Sequence, residues 1–369
     1  MSKVDSEQQL GRLRERIDKI DAEIQRLINE RARCAQEVAE VKTNAGSESA
    51  VFYRPEREAQ VLRKVMERNS GPVADEEMAR IFREIMSICL AMEQPLRIAF
   101  LGPEGTFTQA AALKHFGHSV VSAPMTAIDE VFREVESGSA SYGVVPVENS
   151  TEGMVNSTLD SFMNSSLKIC GEVEMRIHHH LLGKGNIDPD QVKTIYSHEQ
   201  SLAQCRKWLN NHLPRAERIS VGSNAEAARM VADAENSQVT AAIAGDMAAE
   251  IYGLNKLVAN IEDEPDNATR FLVVGPQLTP ASGRDKTSVI IAMRNKPGAL
   301  YLVLKPFQEA EIMLTRVETR PSRAGNWTYV FFVDFEGHYE DPKVKGVLDE
   351  IAAEAVELKV LGSYPIAVL

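Results

Sequence analysis

No apolar run in this chain approaches the roughly 18 residues that a membrane-spanning helix needs. Its opening, MSKVDSEQQL, also lacks the apolar core of a secretion signal. The expectation is a soluble cytoplasmic protein with no membrane partner. Cysteine is scarce and scattered: Cys34, Cys89, Cys170 and Cys205 form no C-x-x-C and no paired metal spacing, which argues against a disulfide framework and a zinc site. Positive charge is in deficit as well. Forty-one Lys and Arg stand against 53 Asp and Glu, a net charge of -12, which argues against nucleic acid or an anionic membrane surface as the main partner. What is present, 369 residues with 44% hydrophobic and 25% charged side chains, suits a globular chain of two to three domains. A small anionic substrate remains compatible with this balance, because it needs only a few local cations.

The periodicity of the chain changes twice. From about residue 6 to 94 it is helical: a long amphipathic helix to about Lys42, a break at Asn44 to Ser49, a helix from Pro55 to Asn69 and another from Asp75 to Glu93. From Arg97 to about Gly275, short β-like runs (RIAFLG, YGVVPV, TIYS, AAIAG) alternate with helical segments, as in a layered α/β domain. After the turn-rich QLTPASGRD, the order from Lys286 onward reads strand, helix, two strands, helix, strand, the size of a small βαββαβ module.

In the first helix Leu10, Leu13, Ile17, Ile20, Ile24 and Leu27 step by three and four, and the next seam position is Arg31, before Cys34, Val38 and Val41 resume it. An arginine there either snorkels out of an ordinary seam or meets an anion. Lys42 lies about 20° from Arg31 around the helix, while Arg14 points about 100° away, toward a different site such as one on a partner chain.

With LRERID, NERA, the lysine and YRPEREAQVL in order, this region resembles the all-helical chorismate mutase domain. The resemblance implies that Arg14, Arg31, Lys42 and Arg57 hold the carboxylates and ether oxygen of chorismate, with Glu58 on the substrate hydroxyl. A Claisen rearrangement needs no nucleophile or metal, only a folded dianion and cations where charge builds on the ether oxygen. Cys89 and Glu93 stand where that family often has Ser and Gln. A glutamate can donate to the ether oxygen only when protonated, so the mutase is expected to run faster in mild acid.

In the α/β region the informative residues sit where strands hand over to other elements. Gly102-Pro103-Glu104-Gly105-Thr106-Phe107-Thr108 follows RIAFL, Pro146 to Gly153 follows YGVV, and Ser197-His198-Glu199-Gln200 follows TIY. Each reads alone as a helix cap, Ser197 with Gln200 and Ser223 with Glu226 fitting capping boxes, or jointly as a cleft for an anionic ligand. Together with Asn267-Ala268-Thr269-Arg270-Phe271 these blocks resemble prephenate dehydratase, G-P-x-G-T-F, P-x-E-N-S-x-x-G, S-H-x-Q-x-x-x-Q-C and N-x-T-R-F, in order. That implies two α/β lobes like those of periplasmic binding proteins. It also implies Thr269 at the leaving hydroxyl, with Glu148, Asn149, Ser197 and Gln200 as partners, Thr106, Phe107 and Phe271 lining the site, and Arg270 for a carboxylate. His178 and His180 would share a face if on a strand, which makes a metal conceivable, but a structural role is favoured and no cofactor is expected.

Gly298-Ala299-Leu300 and Glu318-Thr319-Arg320-Pro321 read as a helix start and a turn. They resemble the effector motifs of the ACT regulatory domain, with Thr319 where Ser is usual, which implies L-phenylalanine bound between two chains.

The expectation is a three-domain chain: an all-α domain at 5–95, a two-lobed α/β domain at 96–275 and an α+β βαββαβ domain at 286–369. It resembles bifunctional chorismate mutase/prephenate dehydratases (P-proteins), taking chorismate and prephenate as substrates under phenylalanine feedback, as a homodimer or higher homo-oligomer. A non-catalytic amino-acid binding protein or a coiled-coil regulator would leave Arg31 or the acidic balance unexplained.

Overall fold

The computed structural model describes residues 3–44, 53–234, 239–321 and 329–369. The expected break after Asn44 falls largely outside them. Helices α1 (Lys3–Asn44), α2 (Pro55–Arg68) and α3 (Asp75–Glu93) open the chain, ending within a few residues of where periodicity puts them. Proline at N1 starts α2, and an acidic first turn (Asp75, Glu76, Glu77) suits the positive end of α3. Among the described residues no helix is long and apolar enough to cross a membrane.

Two sheets follow. The first lobe contains β1 (Arg97–Leu101), α4 (Phe107–Phe116), β2 (Val121–Met125), α5 (Ile128–Glu136), β3 (Tyr142–Asn149), β4 (Gly153–Met154), α6 (Asn156–Asn164) and β5 (Lys168–Arg176). The second contains β6 (His180–Gly183), β7 (Thr194–His198), α7 (Glu199–Gln204), α8 (Arg206–His212), β8 (Glu217–Val221), α9 (Asn224–Asp233), β9 (Thr240–Ala244), α10 (Asp246–Ile251) and β10 (Asn255–Val258). The chain then returns as β11 (Ala268–Gly275) into the first sheet, whose order is β2-β1-β3-β11-β5, with β4 on β3; the second runs β10-β6-β9-β7-β8. The chain thus crosses between the sheets twice, near residues 177–179 and 259–267, and the space between the lobes opens where strands end.

The C-terminal region is β12 (Asp285–Met293), α11 (Ala299–Glu309), β13 (Leu314–Pro321), β14 (Tyr329–Glu336), α12 (Pro342–Glu354) and β15 (Glu357–Pro365), an antiparallel sheet of order β13-β14-β12-β15. This is the expected βαββαβ order. Both faces of its sheet are covered. Val289, Ile291, Val333 and Phe335 pack on Val303, Phe307, Val347 and Ile351 of its own helices. Ile290, Val330, Phe332, Leu361 and Tyr364 join Val145, Ile169, Leu272 and Val274 of the first lobe in one core. Strand β15 lies so close to β5 that a Cβ on Gly362 would sit 2.1 Å from the Ile169 carbonyl oxygen.

The helical region is also docked. Tyr53 packs on Phe116 and Tyr142, and its hydroxyl lies 2.7 Å from His115 Nε2. At the end of α4, Gly117 (φ +76°) lies where a Cβ would be 2.5 Å from Ser87 of α3. Helix α1 differs: it packs on α3, yet its seam from Leu10 to Leu27 stays about half exposed, Leu13 at 49% and Ile17 at 54%.

A shared core predicts shared unfolding. Phe332→Ala should cost about 3–5 kcal/mol, and chemical denaturation followed at the middle and C-terminal domains should move both transitions together. A shift confined to the C-terminal domain would show that the two cores are separate.

Candidate active sites

The three helices bring Arg31, Lys42, Glu58, Cys89 and Glu93 together. Arg31 donates from Nη1 to Cys89 Sγ at 2.9 Å, so the seam arginine points into the bundle toward α3 and does not snorkel away. Burial raises the Glu93 carboxyl above its ordinary range, against the pull of Lys42 and Arg31. Burial likewise raises Glu58, opposed by Arg83 and Arg31. Two cations and two carboxyls reluctant to ionise thus surround one spot. Arg57 is exposed. Arg14 is exposed too, seventeen residues along α1 from Arg31 or roughly 25 Å at 1.5 Å per residue, outside this cluster within one chain. Arg83, which sequence reasoning passed over, lies 3.4 Å from Glu58. Its position on α3 carries no motif, so only packing reveals it.

Between the two sheets lies a cleft of about 520 Å³. Thr106, His198, Ser223 and Gly245, the residues that precede α4, α7, α9 and α10, all line it, so four helices begin at its wall. Ser223 caps α9 as expected, accepting from the Glu226 N–H at 3.0 Å. Among the described residues lining the cleft there is no Lys or Arg. Its donors are backbone N–H groups, hydroxyls and amides, which suit an anion at the ends of α4 and α9.

Thr269 lies on β11 opposite Asn149 of β3. The Asn149 side-chain oxygen accepts from the Thr151 and Glu152 N–H groups at 3.0 and 3.1 Å. Since backbone N–H groups can only donate, this orients the amide and leaves Nδ2 to donate to Thr269 Oγ1 at 2.9 Å and Asn267 Oδ1 at 2.8 Å. The Thr269 hydroxyl, already an acceptor, has its own hydrogen to offer the cleft. Thr106, Phe107, Gln200 and Phe271 line the cleft as well.

Several expectations need correcting. Glu148 and Arg270 pair across the same two strands one residue along, so their side chains leave by the opposite face. Glu148 meets Arg316 of β13 at 2.5 Å. Arg270 donates to Glu172 at 2.9 Å, Asp334 at 2.6 Å and the Tyr364 hydroxyl at 2.8 Å, while Lys286 pairs with Glu172 at 2.8 Å. Neither reaches the cleft. Ser197 is fully buried, its hydroxyl 2.9 Å from both Asn224 Oδ1 and the Ile243 carbonyl, and His198 rather than Ser197 caps α7. Ser150 to Glu152 form the turn between β3 and β4, so this block ends in a hairpin and not in a helix start.

The three histidines do not lie along one strand: His178 and His179 precede β6, which begins at His180. His178 pairs with Glu262 at 2.8 Å and His180 with Asp246 at 3.2 Å. His179 lines the cleft. Burial presses it toward the neutral form, and its Nε2 lies 2.8 Å from Gln204 Oε1. Gln204 also accepts from Asn267 at 3.1 Å and donates to Thr151 at 3.1 Å, joining the second lobe to the Asn149 network. No group of His, Cys, Asp and Glu among the described residues could hold a metal ion.

In the C-terminal domain Gly298 precedes α11 with φ +84°, Ala299 is nearly buried and Leu300 is exposed. Glu318, Thr319 and Arg320 lie on edge strand β13, while the side chain of Pro321 falls outside the described residues. Arg320 reaches Asp160 of α6 at 2.7 Å and also binds Asn156.

Residues 13–94 match the family described as chorismate mutase type II, and residues 98–278 match prephenate dehydratase. A bifunctional chorismate mutase/prephenate dehydratase of Stutzerimonas stutzeri is 65% identical over 98% of this chain and 99% of that protein. One of Pseudomonas aeruginosa is 63% identical over the same shares. The crystal structure of prephenate dehydratase in complex with L-Phe from Arthrobacter aurescens superimposes with a TM-score of 0.68 at 33% identity, covering 73% of this chain and 90% of that one.

Proposed function

The chain belongs to the family of bifunctional chorismate mutase/prephenate dehydratases, and from that premise we propose how its residues divide the two reactions. It converts chorismate to prephenate and prephenate to phenylpyruvate, two steps of phenylalanine biosynthesis.

The helical cluster, within residues 5–95, is the mutase site. Arg31 and Lys42 hold the dianion in its folded conformer and face the ether oxygen as its bond to the ring breaks and the new carbon–carbon bond forms. Glu93, protonated, donates to that oxygen, and Glu58 accepts from the ring hydroxyl. Arg14 acts on a second copy. The half-exposed seam of α1 supports a homodimer or higher homo-oligomer, since burying the open half of each Leu or Ile gains roughly 1 kcal/mol.

The cleft, within residues 96–275, is the dehydratase site, with lobes arranged like those of periplasmic binding proteins. The observation that carries this reading is the Asn149–Thr269 pair, in which Asn149 donates to the threonine oxygen and leaves the hydroxyl hydrogen available to a ligand in the cleft between helix ends. When the ring carboxylate leaves as CO2, its bonding electrons enter the ring and expel the hydroxyl. Thr269 polarises that leaving group, which departs as water once protonated. Helix N-termini bind the one carboxylate that remains, that of the pyruvyl side chain.

Residues 286–369 are an ACT domain that takes L-phenylalanine at Gly298 to Leu300 and Glu318 to Pro321, between two copies of the chain. Feedback follows if the effector prefers one arrangement of that domain. Support comes from the βαββαβ order and from the links Arg316–Glu148, Arg320–Asp160 and Arg270–Asp334, which tie its sheet to the walls of the cleft.

Thr269→Ala should lower dehydratase kcat by about a hundredfold or more and spare the mutase, whereas Glu148→Gln should keep most dehydratase turnover. Phenylpyruvate formation from prephenate checks both, and a fully active Thr269→Ala would refute the assignment. Because Glu93 must be protonated and burial raises it, mutase kcat should fall as pH rises through that raised midpoint. Glu93→Gln should flatten the profile; an unaltered slope would exclude Glu93 as the donor. Gly298→Val places a β-branched residue at φ +84° and should relieve phenylalanine inhibition with both basal rates kept. Undiminished inhibition in that variant would locate the effector elsewhere.

A further inference from the structure

Arg83 lies on the side of α3 that faces the middle domain and is only 9% exposed. Its Nη1 sits 3.4 Å from Glu58 Oε1 and donates to the carbonyl oxygen of His115, in the last turn of α4. A guanidinium withdrawn this far from water is destabilising unless its charge is answered, and Glu58 is the carboxylate that answers it. Facing Glu58 are Arg31 from α1, Arg83 from α3 and Tyr53 ahead of α2, and the small cavity at this junction is lined also by Lys114, His115, Cys170 and Glu172. Glu172 is committed to Arg270 and Lys286. Burial and Arg83 together hold His115 far below its ordinary range, so it adds no charge.

Two cations therefore support the Glu58 carboxylate, and they differ in what else they do. Arg31 already binds Cys89, and in the mutase reading it turns to the substrate dianion. Arg83 has no such second duty: it is fixed from behind by a backbone carbonyl of the dehydratase lobe. We propose that Arg83 is a positioning residue of the mutase, holding the Glu58 carboxylate in place as the acceptor for the substrate hydroxyl while the dehydratase lobe holds Arg83. The proposal rests on Glu58 binding that hydroxyl. Its consequence is that the mutase site is completed by the neighbouring domain, through helix α4, whose other end opens onto the dehydratase cleft.

The test uses the full-length chain with Arg83→Gln, Arg83→Lys, Glu58→Gln and the double variant Glu58→Gln/Arg83→Gln. Mutase KM and kcat are measured from about pH 5.5 to 8.5, with dehydratase turnover as the check that each variant is folded. Arg83→Gln should raise KM about tenfold at neutral pH with kcat nearly kept, and move the acid limb of kcat/KM to higher pH. Arg83→Lys should restore the limb, and the double variant should be no worse than Glu58→Gln alone. An Arg83→Gln profile that overlays the unsubstituted enzyme, while Glu58→Gln is impaired, overturns the proposal and leaves the Glu58 reading standing. Equal losses in Arg83→Gln and Arg83→Lys with an unmoved limb also overturn it, as a packing effect. A Glu58→Gln variant with an ordinary KM removes both.

Discussion

Strand β11 is buried on both faces, and the alternation of its side chains decides what each face does. Thr269 and Phe271 turn toward the cleft, whereas Arg270 and Leu272 turn toward the C-terminal sheet. The buried Arg270 charge makes the second face exacting. Glu172, Asp334 and Tyr364 each take one guanidinium nitrogen, and Lys286 also pairs with Glu172, so two positive and two negative charges close on themselves. Removing any one of the four charged members would leave a buried charge unbalanced, which is why such a cluster holds its neighbours in a single arrangement. Thr269, which lines the cleft, is therefore the next residue along the backbone from the point where two domains are pinned together.

The same economy of faces runs through the rest of the molecule. Strand β3 sends Asn149 into the cleft and Glu148 to Arg316. Helix α4 starts at the cleft and ends against Arg83 and Tyr53 of the helical region. Elements of one domain carry the contacts of another, so this is less a string of independent modules than one packed body from which α1 extends. That helix carries both an unfinished apolar seam and an arginine far from the rest of its cluster, two features that a second copy would satisfy together.

Much of this was legible in the residues. The three helices follow from an apolar repeat of three and four, interrupted by Pro, Gly and Ser, because helical periodicity and its breakers act within a few residues. Thr269, Asn149, Thr106 and Gln200 were found through their motifs, and the structure lines one cleft with them. Glu148, Arg270 and Ser197 came from the same motifs and went elsewhere. A strand buried on both faces has no polar alternation to say which side meets the ligand, so YGVVPVEN and ATRFLVVG left that choice open. Arg83 was missed because its partner is distant in sequence, His115 lying 32 residues away; Gln204 stands within the S-H-x-Q-x-x-x-Q-C block, but its link to Asn267, 63 residues on, was not visible there.

The sequence by itself determined the three regions, the order of their elements, the chemistry available to each and the family to which the chain belongs. These depend on local periodicity, caps and the identity of short blocks. Only the tertiary structure decided which face of β3 and β11 lines the cleft, that the C-terminal sheet shares a core with the first lobe, and that Arg83 stands behind Glu58. Those outcomes depend on which buried charges find partners across domains, and that is set when the surfaces close on one another rather than along the chain.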